Sequence, residues 1–96
     1  MSHVDLTDSG YEFSIVAKGH TESKMCAAIS CLLYTAAGYI TNAGLMLLKI
    51  HLDPGDAELV WAGGEKARFL FDLMQIGFLQ LQEGDPENIF IKNFKK

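Results

Sequence analysis

Two side chains in the first third of the chain have the types and spacing for nucleophilic chemistry. They are His20 and Cys26, within Gly19-His20-Thr21-Glu22-Ser23-Lys24-Met25-Cys26-Ala27-Ala28-Ile29-Ser30. A thiolate attacks carbonyl carbon far better than a thiol, and an imidazole within reach can take or hold its proton. Six positions separate the two residues, and an extended chain spans at most roughly 20 Å over that distance, so a folded loop has slack to bring ring to sulfur.

The element that must present the sulfur is a helix. Met25, Ile29, Leu32, Leu33, Ala36 and Ile40 recur at helical spacing, which predicts a helix from near Lys24 to near Thr41 with Cys26 in its opening turn. Ser23 and Thr21 are the candidate N-caps. Unpaired backbone N–H groups give such a terminus partial positive charge, and a thiol in that field ionises more readily. Taken alone, a cysteine followed by Ala27-Ala28-Ile29 also suits a small buried core position, and a histidine in a polar loop suits a solvated turn.

The run Gly-His, a short loop and Cys-Ala-Ala-Ile-Ser entering an alanine-rich helix resembles the bacterial ribosomal-processing cysteine protease family. Gly19-His20 matches the family's Gly-His, and Cys26-Ala27-Ala28-Ile29-Ser30 matches its Cys-Ala-Ala-Val-Ser. The resemblance implies His20 as general base and Cys26 as nucleophile, with Gly19, Ser23 and Ser30 beside the substrate. It further implies removal of a short N-terminal extension from a large-subunit ribosomal protein precursor, and a homodimer. Family members carry a longer, glycine-containing loop that ends in an acidic residue three positions before the cysteine. Here five residues intervene and that position is Ser23, with Glu22 the nearest carboxylate. The shortened loop implies a more open site, a different peptide, or a member that binds peptide or assembles as a dimer without cutting.

The bulk properties set outer limits. Ninety-six residues, 49% hydrophobic and 21% charged, describe one domain over residues 1–96 with a core large enough to fold without staples. A net charge of −4 argues against nucleic acid as a partner, because phosphate binding draws on clustered Lys and Arg. The start lacks a basic region followed by an apolar core, and no uninterrupted apolar run reaches the length of a bilayer span. A cytoplasmic protein without a membrane partner is therefore expected. Cys26 and Cys31 lie five apart on one helix and point in different directions, so no disulfide is expected between them. Together with His20 and His51 they match no metal-ligand spacing, and neither a metal nor a cofactor is expected.

Strands are predicted at Val4 to Leu6 and at Tyr11 to Ala17, the second burying Tyr11, Phe13, Ile15 and Ala17. A strand from Leu45 to Leu52 places Leu48, Ile50 and Leu52 on one side and Leu47, Lys49 and His51 on the other. Asp53-Pro54-Gly55-Asp56 then turns it into a return strand at Ala57 to Ala62. His51 reads as a surface residue. A second helix from Glu65 to about Gln82 packs Leu70, Leu73, Met74, Gly77 and Leu81 on the sheet, and Phe69, Phe71, Ile76, Phe78 and Leu79 extend its apolar surface. That excess suggests a subunit interface. A last strand holds Ile89, Phe90, Ile91 and Phe94. The order strand, strand, helix, strand, strand, helix, strand is that of an α/β two-layer sandwich, with two helices on one face of a mostly antiparallel sheet.

Overall fold

A computed structural model of the chain describes all 96 residues. The elements follow the expected order: β1 (Ser2–Asp8), β2 (Glu12–Lys18), α1 (Ser23–Asn42), β3 (Met46–Asp53), β4 (Asp56–Ala62), α2 (Glu65–Gly84) and β5 (Ile89–Lys95). The strands form one sheet in the order β3-β4-β2-β1-β5. Every pairing is antiparallel except that of β1 with β5, which is parallel. The first and last strands of the chain are thus neighbours.

Alternation decides which face is buried. Val4 and Leu6, Phe13, Ile15 and Ala17, Ala57, Leu59 and Trp61, and Ile89 and Ile91 all point to one side of the sheet. Both helices cover that side, and their buried residues join the strands in a single cluster of 20. Phe13, Trp61 and Phe71 stack at its centre with ring centroids 5.2–6.3 Å apart. The Trp61 indole N–H donates to the Ala67 carbonyl at 3.1 Å, so the largest core side chain carries no unpaired polar atom. By length and composition α1 qualifies as a bilayer-crossing helix, yet its apolar stripe of Met25, Ile29, Leu33, Ala36 and Ile40 is spent on this core.

Three local expectations change. Tyr11 stands in the turn before β2 and is exposed rather than buried, because the strand begins at Glu12. In β3 the register jumps between Leu47 and Lys49, and the extra residue flips the phase of the strand. Leu47 pairs with Trp61, Ile50 with Leu59 and Leu52 with Ala57, so these three share the helix-side face and Leu48 does not join them. On α2 the buried row is Ala67, Leu70, Phe71, Met74 and Phe78, whereas Leu73 is exposed and Leu81 only partly covered. Phe71 and Phe78 are therefore core residues, and the surplus apolar surface is Phe69, Leu73, Ile76 and Leu79. Gly77 faces α1 rather than the sheet. It lets α1 approach, since a Cβ there would stand 3.1 Å from a Leu32 methyl.

One ion pair ties the sheet to α2. Arg68 donates to both carboxylate oxygens of Asp8, at 2.7 and 3.0 Å, and its guanidinium lies 5.0 Å from the Phe13 ring centre. The Arg68 hydrogen bonds hold the Asp8 carboxyl below the usual carboxylate range, helped by the Gly10 N–H. A lowered acid stabilises the fold at any pH above its unfolded value near 4, and that contribution is lost as pH falls through the native value. Asp8→Asn should accordingly lower the thermal midpoint at pH 7 and leave a smaller difference from wild type below pH 3, as a series of melts across pH would show. The α2 assignment has its own check by urea denaturation. Phe78→Ala, which empties a fully buried site, should cost about 3–5 kcal/mol, whereas Phe69→Ala, at a residue 57% exposed, should cost under about 1 kcal/mol.

Candidate active site at the start of α1

The segment between β2 and α1 is short, and each of its residues is tied down. Gly19 has φ +96°, a conformation open to glycine at little cost. Its N–H donates to the Gly55 carbonyl at 3.0 Å, and its carbonyl accepts from Ser2 Oγ at 3.3 Å. Even a methyl group is excluded there, since a Cβ on Gly19 would stand 2.7 Å from the Met1 carbonyl oxygen. The His20 carbonyl accepts from the Met1 nitrogen at 3.1 Å. Thr21 Oγ1 donates to Asn88 Oδ1 at 2.6 Å, and Asn88 Nδ2 donates to Asp85 at 2.8 Å, which locks the loop to the turn before β5.

Glu22 is the N-cap of α1, in place of Ser23 or Thr21. Its backbone is extended, and Oε1 accepts from the Met25 N–H at 2.7 Å. The glutamate side chain is long enough to reach round to that donor, which spares Ser23 the role and makes it the first helical residue. The carboxylate nearest the cysteine in sequence is therefore committed to the helix end. The Cys26 N–H bonds to the Glu22 carbonyl at 3.1 Å, while the N–H groups of Ser23 and Lys24 have no acceptor within the chain.

Cys26 is half-buried and faces a small cleft of about 60 Å³. One wall is the flank of α1, with Cys26, Ile29, Ser30 and Leu33. The other is the β3–β4 turn, Asp53-Pro54-Gly55-Asp56, and the floor is Ser2, Ala17, Gly19 and Ala57. The Cys26 thiol donates to the Thr21 carbonyl at 3.6 Å, not to an imidazole. The His20 ring lies against Gly55 on the turn wall, so close that a Cβ at Gly55 would clash with its Cε1 and Nε2. Gly55 has φ +74° and so meets two demands, the reversed turn and the flat seat for the ring.

Of the residues singled out by sequence, Cys26, Gly19 and Ser30 share the cleft. His20 sits at its rim on Gly55, and Ser23 lies outside the lining. Sequence reasoning missed Ser2, the one buried polar residue, and the turn as a cleft wall. It also missed Asn88, which stands 67 positions from Thr21. Asp53-Pro54-Gly55-Asp56 announces a turn but not what the turn faces, and an Asn three positions after Asp85 announces a local hydrogen bond but not a distant one. His51 is on the surface, as expected. Its Nε2 stands 3.1 Å from Asp53 Oδ2 and 3.4 Å from Asp56 Oδ2. Lys18 pairs with Asp56 and holds that carboxyl below the usual range, with His51 adding to the effect. No group of three or more His, Cys, Asp or Glu side chains is arranged to hold a metal ion.

No protein-family model matches the sequence, and no curated protein matches it. Solved structures do match the fold. The ribosomal processing protease Prp from S. aureus, in complex with a covalently linked product peptide, superposes with a TM-score of 0.84 at 21% identity, over 97% of this chain and 99% of that one. The same protease with a substrate peptide gives 0.75 at 19% identity, over 97% and 99%. SMU.848 from Streptococcus mutans gives 0.81 at 20% identity, over all of this chain and 99% of that one. The chain thus has the fold of the Prp protease, end to end.

Proposed function

We propose that the chain is a cysteine endopeptidase that removes a short N-terminal extension from a ribosomal protein precursor in the cytoplasm, with Cys26 as nucleophile and His20 as general base. The single observation that carries the reading is the cleft. A half-buried cysteine in the first turn of a helix opens onto it, and a histidine is seated at its rim, against the turn that forms the opposite wall. The likeness in fold to a ribosomal processing protease that holds peptides supports the substrate class.

In this mechanism the His20 imidazole swings from its seat on Gly55 and takes the Cys26 proton. The thiolate adds to the peptide carbonyl carbon, and charge passes to the carbonyl oxygen. The free N–H groups of Ser23 and Lys24 are the donors available to that oxyanion, assisted by the positive end of the α1 dipole. Collapse of the tetrahedral intermediate releases the amine, which receives the proton from the imidazolium, and water then hydrolyses the thioester by the reverse roles. Gly19, Ser23 and Ser30 flank the bound peptide. The exposed α2 row of Phe69, Leu73 and Ile76, at i, i+4 and i+7, is the surface on which two copies would pair.

A second reading is favoured by one contact. The Cys26 thiol already donates to Thr21, and Glu22, the carboxylate nearest in sequence, is spent on the cap, an arrangement that suits a peptide-binding chain without turnover.

The discriminating measurement is cleavage of a peptide that carries an aromatic-containing N-terminal extension. Cys26→Ala should abolish turnover, and His20→Ala should lower kcat/KM by about 10²–10⁴-fold. Binding of the peptide by wild type with no cleavage, and with alkylation of Cys26 no faster than that of free cysteine, would instead select the second reading. Gly19→Ala should lower activity as steeply as His20→Ala, because both the backbone angle and the Met1 carbonyl oppose the methyl group and the imidazole is launched from that residue. Kinetics on the folded variant, checked by circular dichroism, would show this.

A further inference from the structure

The turn before β5 reaches the cysteine through a chain of side chains. Asp85, Pro86, Glu87 and Asn88 form a tight turn at the end of α2, closed by the Asn88 N–H on the Asp85 carbonyl at 3.2 Å, and the Asn88 carbonyl accepts from the Ser2 N–H at 3.0 Å. A carboxylate can only accept. The Asp85 side chain therefore turns the Asn88 NH2 toward itself, at 2.8 Å, which leaves Asn88 Oδ1 facing Thr21. The Thr21 hydroxyl commits its single hydrogen there, at 2.6 Å. Thr21 is β-branched and stiff about χ1, so a fixed Oγ1 restrains the backbone that carries it. The carbonyl of that backbone is the acceptor of the Cys26 thiol, at 3.6 Å. No backbone N–H donates to this carbonyl, because the first acceptor inside the helix is that of Glu22, taken by the Cys26 N–H. Its direction is left to the Thr21 side chain and what holds it.

We propose that Asp85 and Asn88 are positioning residues for the Cys26 thiol, acting through Thr21. The pair aims the carbonyl on which the sulfur rests, and so sets where the nucleophile points before it reacts. An S–H that donates still holds its proton, and only the thiolate attacks. The contact therefore keeps Cys26 in its unreactive form, and slackening the turn between Asp85 and Asn88 releases it. This rests on the peptidase reading only for what the released sulfur attacks. The effect lies in the polarity of the chain of hydrogen bonds rather than in the bulk of its members, which gives it a signature. Exchanging the amide of Asn88 with the carboxylate of Asp85 leaves an acceptor for the Thr21 hydroxyl and a donor facing an acceptor between the two, so every bond of the chain survives the exchange. Changing Asn88 alone to an acid sets two carboxylates against each other and breaks it.

The test is alkylation of the full-length chain by iodoacetamide at neutral pH, with Cys26 and Cys31 followed separately by mass spectrometry of a digest. Cys31 is exposed on the same helix and serves as the internal reference. Thr21→Val keeps the branched shape and removes only the hydroxyl, and it should raise the rate at Cys26 relative to Cys31 by about three- to tenfold. Asn88→Asp should raise the ratio by as much, and adding Asp85→Asn to it should bring the ratio back to within about twofold of wild type. An unchanged ratio in Thr21→Val and Asn88→Asp would overturn the proposal. So would a rise that Asp85→Asn fails to reverse. An equal rise in Asp8→Asn would overturn it as well, since that ion pair lies at the opposite end of β1 from Ser2 and loss of stability alone would then explain the effect. Alkylation reads the sulfur without any peptide, so the two readings part cleanly. The exchanged pair restoring the ratio in a chain whose wild type cleaves no peptide would sink the peptidase and leave the positioning pair, whereas wild-type cleavage with a ratio that no variant moves would do the reverse.

Discussion

Everything at the site depends on how the chain crosses from the sheet to the first helix. Only Gly19 to Glu22 separate β2 from α1, and within that span the backbone must leave the sheet plane, reverse at a positive φ and arrive at a capped helix end. Four residues outside the segment hold it, namely Gly55 on the β3–β4 turn, Met1 and Ser2 at the start of β1 and Asn88 before β5. Because the crossing is short and pinned, the position of Cys26 follows from the sheet itself rather than from a loop free to wander. The same shortness costs reach. The imidazole rests on the neighbouring turn and the thiol satisfies itself on Thr21, so a proton passes between them only if the His20 side chain turns inward.

The layers, and the placing of Cys26 in the first turn of a helix, were legible in the sequence because both are written in local pattern. Period two at Phe13, Ile15 and Ala17, and period 3.6 at Met25, Ile29, Leu33, Ala36 and Ile40, each point one face of an element at the core. What sequence misplaced was phase. A single inserted residue in β3 puts Leu47, rather than Leu48, in phase with Ile50 and Leu52. A helix apolar over much of its circumference, as α2 is, offers two stripes, and only the packing of Phe71 against Phe13 and Trp61 selects between them. The cap was misassigned for a related reason. Short hydroxyl and carboxyl side chains are the usual caps, and a glutamate competes only when the backbone presents it in an extended conformation.

Electrostatics divides the cleft unevenly. Its turn wall carries Asp53 and Asp56, whose carboxylates are paired with His51 and, at Asp56, with Lys18. At the helix end Glu22 places another anion beside the N–H groups that would otherwise favour a thiolate. The positive end of α1 is thus partly neutralised by its own cap, while Ser23 and Lys24 keep their N–H groups for an incoming oxygen.

The parallel pairing of β1 with β5 has a bearing on when the site comes into being. Asn88, which fastens Thr21, belongs to the turn that launches the final strand, and Ser2, which fastens Gly19, belongs to the first. As the ribosome extends the polypeptide, the hairpins and both helices can gather while the cysteine loop still lacks its C-terminal anchor. Non-local closure of this kind is among the slow steps of assembly. The loop before Cys26 is therefore fully pinned only once the turn before β5 has docked beside it.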